Sequence, residues 1–296
     1  MINIKHLVVT VISVFLALAM GILIGIQLES HDLIFKQQEN LIEQMETRFD
    51  KLNKTRENLE SEIKMLTDAN ETNITYINRI FPDYIKEKLN GLNIAIVETT
   101  DDYSYADLRN VLKESGAHIT SIVSITNKSL DLSEDAKEVL FQFYEEREKL
   151  VDNKQDACSL IVGSIIDAMI LGKSFEDIQY LTENGFLHTL GSFEHSIDYV
   201  VIAGGSKEAS EKINLIDLPI IRELKRYSIP VIGVELSSVE NSYIDLYKRE
   251  KISTVDNVDS IIGKTSMVLV LEGREGNYGI KESAESLMPV LNQEEE

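Results

Sequence analysis

The densest run of polar side chains in this 296-residue sequence is Ser253-Thr254-Val255-Asp256-Asn257-Val258-Asp259. It follows a short apolar run and precedes a longer one, the place where a strand turns into a helix. Asp256 can cap that helix and Asn257 can close the turn. The alternative is chemical. Glu98, Gly204, Gly205 and Glu235 also stand directly after apolar runs. If those runs are parallel strands, these four converge with Thr254, Asp256 and Asn257 on one rim at the strands' carboxyl ends. Three acids on such a rim suit a cation or a basic peptide. Any sheet of this kind gathers its loops there, so convergence alone assigns no ligand.

Other candidate chemistry is thinner. Gly204-Gly205-Ser206, with a helix expected over 207–213, resembles an anion-binding turn. It lacks the G-x-G-x-x-G spacing and the P-loop lysine. Arg274-Glu275-Gly276-Asn277-Tyr278-Gly279 is a glycine-spaced turn, either a plain loop or a contact surface carrying Tyr278. No Ser/His/Asp or Cys/His set stands in a nucleophile-elbow context, so no catalytic residue is expected. Cys158 is the only cysteine and lies in an apolar stretch, which predicts a buried thiol and excludes an intrachain disulfide. The histidines, His6, His31, His118, His188 and His195, show no i, i+4 pairing. His188 and His195 are the nearest pair and are expected to be ordinary loop or surface residues. With no C-x-x-C or M-x-x-M either, neither a metal site nor a cofactor is expected.

The elements that must position the rim are short apolar runs alternating with helical patterns. Runs at 92–97, 117–125, 198–203, 229–235 and 252–255 read as strands. Helices are expected over 104–115, 133–151, 157–171, 175–182, 207–213, 218–227 and 258–271. This alternation predicts a mainly parallel sheet covered on both faces, a three-layer Rossmann-like or flavodoxin-like domain over 91–281. The tail, 282–296, is acidic. The formal charge of −21 makes the exposed surface repel nucleic acid and anionic headgroups and suit cations or a basic partner, with solubility as the plain alternative.

Residues 7–28 form an uncharged 22-residue stretch. As a helix it is about 33 Å long, enough to cross a hydrocarbon core of about 30 Å. Lys5 precedes it and Glu29 and Asp32 follow, so the N-terminus is expected in the cytoplasm and the rest outside. A cleaved signal peptide is the rival, on Ala17-Leu18-Ala19, but the stretch stays apolar through Ile26. A retained anchor over 1–29 is therefore expected. Ala17, Gly21 and Gly25, spaced by four, would let two such helices approach closely.

Behind the span a seven-residue repeat runs from Leu28 to Ile80. Its two apolar positions include Ile42, Phe49 and Ile63 in one set and Met45, Leu52, Leu59 and Leu66 in the other. That is the seam of a parallel two-stranded coiled coil over 30–81, interrupted at Arg56 and Asn70. A single amphipathic helix would need a partner face about 80 Å long. Phe81-Pro82 is expected to end the helix.

Two passages carry a family resemblance: residues 1–25, MINIKHLVVTVISVFLALAMGILIG, and 252–289, ISTVDNVDSIIGKTSMVLVLEGREGNYGIKESAESLMP. With the order anchor, coiled coil, α/β domain and closing segment, the chain resembles the MctB family. That family is named for a copper transport outer-membrane protein and includes SteB-like proteins that act with the membrane protein SteA in cell separation. The resemblance implies a membrane-anchored envelope protein with a SteA-like partner, or, by the family name, copper transport or homeostasis. A channel needs a closed barrel or several spans with a polar path. One uncharged span, one cysteine and no methionine cluster favour a non-enzymatic scaffold that presents its domain to a partner.

Overall fold

The computed structural model describes residues 4–130, 138–140, 143–144 and 153–290, with only the backbone at 4 and 28–34. It divides into two compact units, Met1–Ile74 and Thr75–Glu296.

Helix α1, Ile4–Ile85, is continuous and supplies all of the described first unit. Lys5–Gln27 within it is long and apolar enough to cross a membrane, with a mean hydropathy of 2.9. Its two hydroxyls are satisfied locally: Thr10 Oγ1 donates to the His6 carbonyl at 2.8 Å and Ser13 Oγ to that of Val9 at 2.9 Å. Such back-bonding satisfies the Thr10 and Ser13 hydroxyls within the helix itself. Beyond the span, Ile42, Met45, Phe49, Leu52, Leu59, Ile63 and Leu66 are all exposed.

The helix does not end at Phe81-Pro82. It continues to Ile85, and the Lys86 N–H still reaches the Pro82 carbonyl at 3.1 Å. A proline in the last turn removes one hydrogen bond. Here the burial of Ile85 and Leu89 in the second unit's core outweighs that loss.

The second unit is α/β, built on a mixed sheet of seven strands in the order β3-β2-β1-β4-β5-β6-β7. These are β1 Asn93–Glu98, β2 His118–Ile125, β3 Leu187–Gly191, β4 Tyr199–Ala203, β5 Val231–Val234, β6 Ser253–Val255 and β7 Asn277–Tyr278. All neighbours are parallel except β2 and β3. The five expected strands are present. The two edge strands β3 and β7 were not expected, because LHTLG and NY are too short and too polar to read as apolar runs.

Alternate residues of each strand point to opposite faces. Ala95, Val97, Val200 and Ile202 enter one core, with α3 Lys154–Leu171, α4 Phe175–Glu183, α5 Leu218–Arg226 and α6 Ile244–Arg249. Ile94, Ile96, Val201 and Ile232 enter a second core, with α2 Ala106–Glu114, α7 Ile261–Leu271, Ile85 and Leu89. Helix α3 stops at Gly172, which takes the left-handed conformation at φ 60° that closes a helix. The helix expected over 207–213 is absent. The chain there turns and passes into a π-helical segment, Ile213–Asp217, that leads directly into α5. Most of the helix expected over 133–151 lies outside the described residues.

Ile85 measures what the last turn of α1 contributes to the second unit's own core. Replacing it by alanine empties a fully buried site and should cost about 2–5 kcal/mol. The same change at Ile74, 47% exposed on the same helix, should cost under about 0.5 kcal/mol. Denaturant unfolding of the full chain in detergent, followed by near-UV circular dichroism, checks both.

Candidate functional site

The carboxyl ends of β1, β4, β5 and β6 meet a polar network whose centre is Asp217, at the junction of the π-helical segment and α5. Asp217 is fully buried. Its Oδ2 accepts from Thr99 Oγ1 at 2.8 Å and from the Tyr247 hydroxyl, while Oδ1 has no partner among the described residues. Burial pushes the carboxyl up to about 7, against the opposing pull of those two donors and of Lys212. Burial likewise raises Tyr247. Lys212, also buried, donates to the Ile125 carbonyl at 3.1 Å and to Asn127 Oδ1 at 3.2 Å. Burial lowers its ammonium, opposed by Asp101, Asp217 and Asp102.

Gly204 and Gly205 sit against this network because no side chain fits. A Cβ on Gly204 would collide with the Tyr247 hydroxyl, and Gly205, at φ 94°, faces Val239 and Glu235. Two tyrosines of the loop after β1 bond to the segments that follow β4 and β5. Tyr105 donates to the Gly204 carbonyl at 2.5 Å, and Tyr103 accepts from the Glu240 N–H at 3.1 Å. Ser206 pairs its backbone with Asn241 at 3.2 and 2.9 Å. With no helix starting at 207, Gly204-Gly205-Ser206 has no helix N-terminus to offer an anion.

Glu235, at the end of β5, is fully buried. Its Oε1 accepts from the Tyr243 N–H at 2.5 Å, and its Oε2 from Ser242 Oγ at 2.6 Å and Lys281 Nζ at 2.7 Å. Asp256, equally buried, does not cap α7. Its oxygens accept from the backbone N–H groups of Ile280 at 2.8 Å and Lys281 at 3.0 Å. The cap is Ser260, whose hydroxyl accepts from the Gly263 N–H at 2.9 Å. The Asn257 carbonyl accepts from the Ser260 N–H at 2.9 Å, which closes the turn as expected, while the Asn257 Oδ1 is buried with no partner among the described residues.

The expected rim is therefore only partly assembled. Gly204, Gly205 and Glu235 come together, and Asp256 joins Glu235 through Lys281. Glu98 turns to β2 and accepts from Ser124 Oγ at 2.6 Å. Thr254 turns to β7 and donates to Asn277 Oδ1 at 2.9 Å. Sequence reasoning missed Asp217, Thr99, Tyr247, Lys212 and Lys281. One signal existed for Asp217: an acid inside the apolar run INLIDLPII is buried on either face of a helix.

Elsewhere, the Arg274–Gly279 turn lines a cavity of about 490 Å³ with Ser286, Pro289 and Val290. Cys158 is buried, and burial pushes its thiol up to about 11. Among the described residues no group of three or more His, Cys, Asp or Glu side chains is placed to hold a metal. His195 lies against His118 rather than His188.

These features define a class: an apolar helix of membrane-spanning length joined to an α/β unit whose buried acids bind the chain itself. The chain belongs to the MctB family, whose family profile, described as "Copper transport outer membrane protein, MctB", matches residues 1–289. A search of curated proteins finds no match.

Two predictions follow from the network. Asp217 keeps its proton in the fold up to about pH 7, whereas an unfolded aspartate releases it near pH 4. The folded state thus binds the extra proton between these values, and its stability falls as pH rises through the window. Asp217→Asn should flatten that slope between pH 5 and 8 in thermal melts. Lys281→Met strands the Glu235 charge and should destabilise by about 3 kcal/mol, whereas the double variant Glu235→Gln/Lys281→Met should recover most of that loss. Limited proteolysis over 279–287, with parallel melts, checks the pair.

Proposed function

We propose that this protein is a single-pass, non-enzymatic envelope scaffold. It is a parallel coiled-coil dimer that holds a Rossmann-like head outside the cytoplasmic membrane and presents it to a membrane partner. The observation that carries this reading is the bare apolar seam of α1. Phe49, Leu52, Leu59, Ile63 and Leu66 are each more than half exposed and follow the heptad spacing of a two-stranded coil. A row of this kind in water costs free energy unless a second helix covers it. The adjoining span supports parallel entry, and Gly21 and Gly25 leave open space for a second backbone.

The head's role as a presenting module is supported by its commitments. The rim acids Glu235 and Asp256 and the tyrosines Tyr103 and Tyr105 bind the chain itself, which leaves no free acid–base pair among them. The strand order, with β1 and β4 diverging to either side, supports the Rossmann-like reading. The family resemblance supports a SteA-like partner in cell-envelope or cell-separation control. It also supplies the second reading, copper transport or homeostasis, on the family's description.

The experiment is crosslinking and light scattering of the full chain in detergent, followed by co-purification from membranes. The wild type should run as two chains. Leu52→Asp/Leu59→Asp should run as one and lose the co-purified partner. A monomeric wild type would remove the scaffold reading. Copper sensitivity of a deletion strain, with no partner recovered, would favour the second.

A further inference from the structure

Lys212 and Asp217 bracket the π-helical segment. In an α-helix of about 3.6 residues per turn, positions five apart face about 140° away from each other. Here the Leu218 N–H bonds to the Ile213 carbonyl, a turn closed over five residues, which swings both ends of the segment toward one side. Both side chains are buried, and each feels the other's charge. Yet each is bonded elsewhere. The Lys212 ammonium holds the loop after β2 through the Ile125 carbonyl at 3.1 Å and Asn127 Oδ1 at 3.2 Å. Asp217 Oδ2 holds Thr99 and Tyr247, and Oδ1 has no partner among the described residues.

We infer that Lys212 and Asp217 form a proton-operated latch: with Asp217 protonated the ammonium holds the loop after β2, and with Asp217 ionised it turns to the carboxylate and lets that loop go. The two acceptors it leaves are neutral, and a buried carboxylate is the stronger one. A carboxylate formed at this depth needs a cation or another donor, and Oδ1 offers the place. The four-carbon stem of lysine supplies the movement. The step releases one proton from Asp217 to solvent and breaks no covalent bond. Asn127 keeps its N–H bond to Asp101 Oδ2 at 2.6 Å, so the loop slackens at Ile125 and Asn127 without unfolding. The other groups facing the pair are Asp101, Asp102 and Tyr105 after β1, Cys158 of α3, Glu235 at the end of β5, and Tyr243 and Tyr247 at α6. Burial raises the three tyrosines and pushes the Cys158 thiol up to about 11, so these four keep their protons while Asp217 titrates. The latch goes beyond the scaffold reading and does not depend on it.

The test is amide hydrogen exchange of the full chain in detergent, read by mass spectrometry at about pH 6 and about pH 8 and corrected for base catalysis. In the wild type, exchange over 125–130 should accelerate roughly tenfold beyond that correction on raising the pH, while α7 keeps its protection. Asp217→Asn cannot ionise and should hold the loop equally at both values. Lys212→Met should leave it loose at both. Thr99→Val removes a donor that favours the carboxylate, so the loop should be released only at a higher pH than in the wild type. This last variant keeps the test decisive if Asp217→Asn does not fold. An unchanged loop in the wild type, a pH step that persists in Asp217→Asn, or the same acceleration in α7 as in the loop would overturn the latch. The dimer and partner measurements would be untouched by any of these results.

Discussion

A carboxylate taken out of water needs donors, a countercharge or a proton. The head of this protein contains three such groups at neighbouring strand ends, and each meets the requirement differently. Glu235 has a backbone N–H, a hydroxyl and the Lys281 ammonium. Asp256 has two successive backbone N–H groups from the segment that carries Lys281. Asp217 has two hydroxyls on one oxygen and none on the other, and burial raises its carboxyl toward neutrality. The first two solutions tie the segment after β7 across the ends of β5 and β6. The third ties the start of α5 to β1 and α6. Much of the loop layout at this end of the sheet follows from that need.

The parts of the fold legible in the sequence are those that hydrophobic pattern alone decides. Runs such as NIAIV and YVVIA are apolar because both faces of a central strand are covered, and they were placed within a residue or two. The edges were not legible. LHTLG pairs antiparallel with β2 on one side only, so half its polar groups need no core and its pattern carries little signal. The segment at 207–213 has the composition of a helix, yet it turns because Ser206 and Asn241 pair their backbones there. Pro82 read as a stop, and packing of Ile85 overrode it.

The rim was half legible for a related reason. Strand order and polarity predict which residues stand at the carboxyl ends, since every parallel strand delivers its end to the same side. They do not predict which way a side chain turns once there. Glu98 and Thr254 occupy the expected positions and bond sideways along the sheet to Ser124 and Asn277. Lys281 comes from a tail segment that the sequence marks only as acidic and polar, yet it supplies the counterion that Glu235 needs. Such long-range charge pairing leaves no periodic trace in sequence.

The two ends of the sheet are therefore unequal. In an open parallel sheet a ligand usually enters at the carboxyl ends, where the loops part between diverging strands. Here Tyr103, Tyr105 and the Ser206–Asn241 bridge tie the loops after β1, β4 and β5 to one another, and the buried acids nearby bind the chain itself. The amino ends carry shorter connections and leave His118 and His195 in solvent.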